Sequence, residues 1–288
     1  LTVAMTLLVP IALPGRSAAE SAEATDAGLR MPVRSLLLLG SAAFAVSVAG
    51  LPRNPAITAG LLALGALFVG VFLIVDRRAK VSVLPPTAFR PGPLRWIYLT
   101  LGLLMAATMV DMYVPLFGQR LAHLEPVVAG FLGVTMSIGW TTGELVSASL
   151  KKKSWTVRAV AIAPLVMATG LGVAALSQHD DAPVGAVIVW GVALVLAGTG
   201  VGMAWPHLSA WAMGGVDDPA EGGTAAAAIN TVQLICGAFG AGLAGVVVNM
   251  TDRGDATAAR WLFGVFAVLV ALGGVSSFRA GRGQNAKG

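Results

Sequence analysis

Long apolar runs separated by short charged patches make up most of the chain. No Asp, Glu, Lys or Arg occurs in residues 35–52, 54–75, 159–178, 182–216, 222–251 or 261–278. Two more runs, 96–119 and 126–150, are each interrupted by a single acid, Asp111 in the first and Glu144 in the second. A helix that crosses the hydrocarbon core needs about 20 mostly apolar residues. The pattern therefore predicts eight full spans. Strands of a membrane barrel would be about 10 residues long and would alternate strictly. These runs are roughly twice that length and apolar throughout, so they read as helices.

Residues 1–15 (LTVAMTLLVPIALPG) are apolar but too short for a ninth span. Ser17-Ala18-Ala19 resembles a signal-peptide cleavage site, yet no Lys or Arg precedes Arg16 to form the positive n-region of such a peptide. With Leu1 in place of Met, the stretch reads as the end of a truncated helix, and the sequence as a fragment.

Composition narrows the class. Of 288 residues, 56% are hydrophobic and 11% charged, with a mean hydropathy of +0.81. Soluble domains carry about 25% charged residues, and disorder needs low hydrophobicity with high charge. Both are excluded. The 36 glycines suit helices packed closely in lipid, where small residues favour close contacts. A single cysteine, Cys236, and three scattered histidines, His123, His179 and His207, supply no disulfide framework and no metal-ligand spacing. The cluster His179-Asp180-Asp181 is at most a weak cation site in a loop. No nucleophile–base arrangement or phosphate-cradling glycine loop occurs, so neither an enzyme nor a cofactor is expected.

The basic residues set an orientation. Cytoplasmic loops are enriched in Lys and Arg. If the first short segment ends inside and sides then alternate, 15 of the 19 basic residues fall inside, among them Arg34, Arg77, Arg78, Lys151–Lys153 and Arg279. Only Arg53, Arg120, Arg253 and Arg260 fall outside. The net charge of +5 is thus loop charge beside a bilayer, not a nucleic-acid footprint, and the C-terminus is expected in the cytoplasm of an inner (plasma) membrane protein.

The loops also divide the chain. The expected organisation is a truncated helix end (1–13), a cytoplasmic linker (14–34), two extra spans (35–75) and a basic, proline-rich linker (76–95). A six-helix module (96–278) follows, with spans 96–119, 126–150, 159–178, 184–206, 222–250 and 259–278, and then a cytoplasmic tail (279–288).

Local stretches carry a family resemblance. VDRRAKVSVLPPTAFRPGPLR resembles the basic lead into the second half of major facilitator superfamily transporters. DMYVPLFGQRLAHLEPVVAGFLGVTMSIGWTTG is similar to that family's Tyr-x-Pro-Leu stretch with its later Gly-Trp. LAGTGVGMAWPHLSAWAM with DDPAEGGTAAAAINTVQLICGAFGAGLAG resembles its late helix, acidic loop and small-residue helix. Closest in organisation is the fourteen-spanning drug:proton antiporter branch, whose two extra helices separate two six-helix halves. The resemblance covers about residues 1–278 and implies the C-terminal portion of an all-α polytopic transporter. One departure is SLKKKSWTVR, which lacks the glycine and acid of a Gly-Arg-Asp-type loop at that position.

Acids inside a span are expensive and usually face a cavity or a partner. Asp111 shares a helical face with Thr100, Ala107, Thr108 and Pro115, and Glu144 one with Ser137, Thr141 and Ser147. Both are candidates for proton coupling. The alternatives are interfacial hydration for Asp111 and a snorkelling pair with Lys151–Lys153 for Glu144. On 222–251, Asn230, Gln233, Gly237, Gly240 and Ala244 form one stripe, either a cavity wall or a small-residue packing face. Gly198, Gly200 and Gly202 before Trp205-Pro206 suggest close packing and a break near the helix end. Tyr113, Trp140 and Trp205 could line a drug pocket or belong to the interfacial belt.

Together these readings lead to the expectation of a secondary transporter that exchanges small amphipathic organic compounds for protons. Its substrate site would lie between two halves, each a pair of inverted three-helix repeats. Spans 96–178 and 184–278 would be the triplets, and a missing N-terminal half, a separate partner or a homodimer would supply the other wall. A non-transporting membrane scaffold or an inactive half-transporter is the alternative.

Overall fold

The structure is a computed structural model that describes residues 32–285, apart from 53, 80, 217, 219, 220, 252 and 253. The expected truncated helix at 1–13 and nearly all of the linker 14–34 lie outside the described residues. Among those described, the chain is helical and forms no strand.

The helices in chain order are α1 (Val33–Ala49), α2 (Pro55–Arg78), α3 (Leu94–Thr108), α4 (Val114–Ala122), α5 (Pro126–Ala148), α6 (Lys153–Ser177), α7 (Val184–Gly214), α8 (Gly222–Asn249) and α9 (Asp255–Asn285). Two short 3₁₀ segments, Pro86–Phe89 and Met109–Tyr113, lie in the linker and between α3 and α4. Six helical stretches among the described residues are long and apolar enough to cross a membrane, counting Leu94–Ala122 as one. Helix α5 has 23 residues, about 35 Å at 1.5 Å per residue, but glycines, threonines and serines dilute its apolarity. Helix α1, with 17 residues, is at the short limit for a span.

Helix starts follow local chemistry. Asn54 caps α2, its side-chain oxygen accepting the Ala56 N–H at 2.9 Å, and Pro55 fills the first helical position, where a missing N–H costs nothing. Pro126 does the same for α5. His123 adopts a left-handed backbone, φ 51°, and ends α4.

Three elements depart from the pattern read along the chain. The span expected at 96–119 is not one regular helix. Pro115 cannot donate to the Asp111 carbonyl, and the Val114 N–H takes that carbonyl in a tighter 3₁₀ turn. The break expected near Trp205-Pro206 is absent, because α7 continues through Pro206 to Gly214. Packing against neighbouring helices lets a span tolerate one interior proline. The tail expected from residue 279 is helical to Asn285. Its arginines lie over aromatic faces, Arg279 4.6 Å from the Trp96 ring centre and Arg282 5.2 Å from that of Phe278, so the charges are accommodated without leaving the helix.

The packing of the six-helix module repeats itself. Helix α5 lies along α7, and α3 lies along α8. Helix α6 packs on α7, α3 packs on α9, and α6 packs on α9. Exchanging the triplet α3/α4–α5–α6 with α7–α8–α9 maps this set of pairings onto itself, the relation expected of two inverted repeats. The closest pairings are lined by small residues. A methyl at Gly139 would collide with the Val195 carbonyl, one at Gly198 with the Met136 carbonyl, and one at Gly202 with the Trp140 carbonyl. On the other seam a methyl at Gly240 would strike the Ala106 backbone. The gap left among Val114, Phe117, Trp190 and Phe263 is only about 10 Å³, so the module is closely packed there.

Helix α1 packs against both α2 and α8. Gly242 lies against Val46 and Ser47, and the Asn249 side-chain amide donates to the Gly50 carbonyl. Loops that alternate to the same side in sequence meet in space. At one end Ala182 N–H donates to the Leu121 carbonyl at 2.7 Å, Arg120 pairs with Asp255 at 3.0 Å, and Arg260 Nε donates to the Gln178 carbonyl at 2.7 Å. At the other, the buried Asp76 carboxylate accepts the Val83 and Leu84 N–H groups at 2.8 and 3.0 Å, and Glu221 accepts from the Thr87 N–H and hydroxyl.

The seam account makes opposite expectations for two glycines. Gly202→Val should destabilise the folded protein by about 1–3 kcal/mol or prevent its assembly, as overpacking does in cores. Gly172→Val, where a new side chain meets nothing within 4 Å, should leave the melting temperature unchanged. Thermal melts of the two purified variants, followed by size-exclusion chromatography, check this. Equal melting of both would contradict it.

Candidate functional site

The two intramembrane acids sit in different surroundings. Asp111 lies in the 3₁₀ turn Met109–Tyr113, where the helix is locally tightened next to α8. The residue is half-buried, and its Oδ1 is buried with no hydrogen-bond partner among the described residues. Buried polar atoms are almost always paired, so this orphan carboxyl oxygen, like Gln178 Oε1 and Ser209 Oγ, stands out among the described residues. The rest of its expected face has a structural occupation. Thr100 shares a hydrogen bond of 2.9 Å with Ser276, and the Thr108 hydroxyl donates to its own helix.

Tyr113 follows directly, half-buried, with its ring 6.3 Å from that of Phe117. On the facing helix, Gly237 lies beside Met109. Gln233 and Asn230 lie about 6 and 10 Å further along α8, away from that level. Gln233 is half-buried and Asn230 exposed, while Gly237, Gly240 and Ala244 are buried. The stripe therefore changes character along its length, from packed glycines to accessible amides.

Glu144 is at the α5–α7 seam. Its Oε2 accepts the Trp140 indole N–H at 3.1 Å, and the Trp140 and Trp205 rings lie 5.6 Å apart at 57°. Its backbone N–H lies against Gly202. A pair with Lys151–Lys153 is not what the structure forms; the indole serves instead. The expected polar face of α5 also splits. Ser137 and Thr141 are exposed, whereas Ser147 turns into the seam. There its hydroxyl donates to the Met203 carbonyl at 2.7 Å and meets His207 Nε2 at 2.8 Å. The single hydroxyl hydrogen goes to Met203, and Nε2 also approaches the Ser147 carbonyl at 3.1 Å, so Nε2 carries hydrogen and donates. His207 thereby clamps α5 to α7 one turn beyond Glu144. Sixty residues separate Ser147 from His207, and no spacing in the sequence announces the contact.

The comparisons with known proteins settle the family. A profile described as Major Facilitator Superfamily matches residues 31–241. The chain belongs to the major facilitator superfamily. Members of this superfamily are membrane transporters, not enzymes. Two proteins of Mycobacterium tuberculosis, from two strains and each described as a probable multidrug-efflux transporter, are 55% identical over 282 residues. That alignment covers 97% of this chain and 60% of each relative. A puromycin resistance protein of Streptomyces alboniger is 27% identical over 208 residues, covering 69% of this chain and 41% of its own. The chain thus spans about three-fifths of the length of the mycobacterial relatives, and the six-helix bundle described above is part of a superfamily fold.

The serine–histidine clamp has a measurable consequence. Ser147→Ala should lower stability by about 1 kcal/mol, the scale of an interhelical hydrogen bond in a membrane protein. Unfolding of the purified variant in a denaturing detergent checks this. A midpoint identical to that of the unsubstituted protein would remove the clamp from the account.

Proposed function

We propose that the protein of which this chain forms part is a secondary active transporter that expels small amphipathic organic compounds in exchange for protons. The observation that carries the reading is Asp111, an acid placed in a 3₁₀ turn of an apolar span with one buried oxygen left without a partner among the described residues. Desolvation disfavours a charged carboxyl, and a charge at mid-membrane is strongly disfavoured. A carboxyl that must bind a proton to become comfortable, and release it when water or a cationic group reaches it, can couple proton movement to a change of facing state. The 3₁₀ turn around it supplies a place where the backbone can change shape. The relatives described as multidrug-efflux transporters support the substrate class.

In this reading the substrate meets the exposed side of the module, where Thr141 and Asn230 are accessible and Gln233, Tyr113 and the Trp140–Trp205 pair are partly so. Aromatic faces receive apolar or cationic bodies, and the amides and hydroxyl orient them. Glu144, held by Trp140, is the second carboxyl in reach of such a guest. Gly198, Gly202, Gly237 and Gly240 pack the two triplets against each other, so that the module rocks as one half against the other. In this reading the opposite wall comes from a missing N-terminal half in the same chain, from a separate partner or from a second copy in a homodimer. The 15-to-4 division of basic residues supports a cytoplasmic location for the Arg77/Arg78 end and the C-terminus.

The test uses the full-length protein in liposomes with an imposed pH gradient and a fluorescent amphipathic dye. Asp111→Asn should abolish gradient-driven extrusion while leaving the melting temperature and dye exchange without a gradient intact. Undiminished gradient-driven extrusion by that variant would overturn the role of Asp111.

A further inference from the structure

The end of α2 carries features that transport does not use. Two grooves run along its last turns, one on either side of Ile74 and Arg78. The first, about 620 Å³, lies between α1 and α2 and is lined by Val33, Arg34, Ser35, Ile74, Val75 and Arg78 among others. The second, about 570 Å³, is lined by Leu73, Ile74, Arg77, Arg78 and Phe89. Their walls are apolar and face outward. Val33, Leu73 and Ile74 are all exposed, and most of the α2 surface is left uncovered by the other described residues.

Three guanidinium groups gather where these grooves end. Arg34, Arg77 and Arg78 are exposed, and among the described residues none of them meets a carboxylate. Two acids at this end of the module are engaged elsewhere. Asp76 is 1% exposed and accepts two backbone N–H groups of the linker, and Glu221 accepts from Thr87. The result is an apolar trough, uncovered among the described residues, that terminates in positive charge with no carboxylate partner among them, at the level of a helix end. An anionic phospholipid has the complementary layout, an acyl chain joined to a phosphate. Ordinary topology anchors require only the charge, with no groove beside it.

We infer that the α1/α2 end binds an anionic phospholipid, with phosphate on Arg34 and Arg78 and an acyl chain in the groove against Ile74. Arg78 borders both grooves and serves a lipid in either, with Arg77 completing the second. Lipid held there fills the lateral surface of the two extra helices and fixes the depth of α2 in the leaflet. Under the charge-based orientation that leaflet is the cytoplasmic one, where anionic lipid attracts basic residues. The site is separate from Asp111 and Glu144, and its test does not read transport.

The experiment is native mass spectrometry of the full-length protein, released gently from bilayers of equal phosphatidylglycerol and phosphatidylcholine, with retained lipids counted. The unsubstituted protein should retain phosphatidylglycerol preferentially. Arg34→Gln and Arg78→Gln should each reduce that retention about fivefold, the factor corresponding to one basic residue at a membrane surface. Arg78→Lys, which keeps the charge, should retain most of it. Ile74→Trp should reduce retention with every charge in place, because it fills the grooves. The triple substitution Lys151→Gln, Lys152→Gln, Lys153→Gln removes charge from another loop at this end and should leave retention unchanged. Melting temperatures confirm that each variant is folded. Equal retention of the two lipids would overturn the inference. So would a loss in the lysine variant as large as in the arginine variants, or full retention by Ile74→Trp.

Discussion

Contact of backbone with backbone between α5 and α7 is the constraint on which the rest of the module depends. In lipid there is no hydrophobic force to push two apolar helices together, and their association relies on packing and interhelical hydrogen bonds. Gly139 and Gly143 on α5 face Val195 and Thr199, and Gly198 and Gly202 on α7 face Met136 and Trp140. Two successive turns on each helix therefore offer the partner bare backbone. That proximity brings Ser147 within reach of Met203 and His207, and brings the Trp140 and Trp205 rings together at the same seam. The position of Glu144 is thus a consequence of four glycines.

The second seam, between α3 and α8, follows the same principle with a different ending. Gly240 against Ala106 and Gly102 against Cys236 bring the helices together, and the regular turns of α3 stop at Met109. One proline, Pro115, is the chemical cause. It removes an N–H, the turn tightens, and Asp111 is displayed from irregular backbone with an oxygen unpaired. The two carboxyls of the module consequently differ in kind. Glu144 is held by an indole on its own helix, and Asp111 keeps one buried oxygen without a partner among the described residues. One seam keeps regular helix on both sides, and the other ends in a 3₁₀ turn.

Much of the architecture is readable along the chain, because a bilayer demands about 20 apolar residues per crossing and tolerates little else. The run without charge from 182 to 216 already contains the whole of α7, and the loops 123–125 and 178–183 are marked by their polar residues. What escapes a linear reading is set by partners distant in sequence. Pro206 reads as a stop because the neighbours that stabilise α7 are invisible in the string. Arg279 reads as the start of a tail because Trp96, which receives it, is 183 positions earlier. Glu144 reads as a partner for the nearby lysines, whereas an indole one turn away reaches it first. Asp111 stands out in sequence as an acid in an apolar run. Its unpaired oxygen is a property of three-dimensional packing, and no pattern of residues encodes it. Asp76, a charge in a linker by sequence, is a buried cap on the folded linker backbone.

Proton exchange at Asp111 as the counterpart of substrate binding is the claim most open to direct measurement. The full-length protein, held in detergent in weakly buffered solution with a pH indicator, would receive an amphipathic organic cation. Exchange of a proton for the substrate requires that binding release protons into solution, and that Asp111→Asn bind the same compound without releasing them. Binding of the compound by the unsubstituted protein with no change in solution pH would contradict the account.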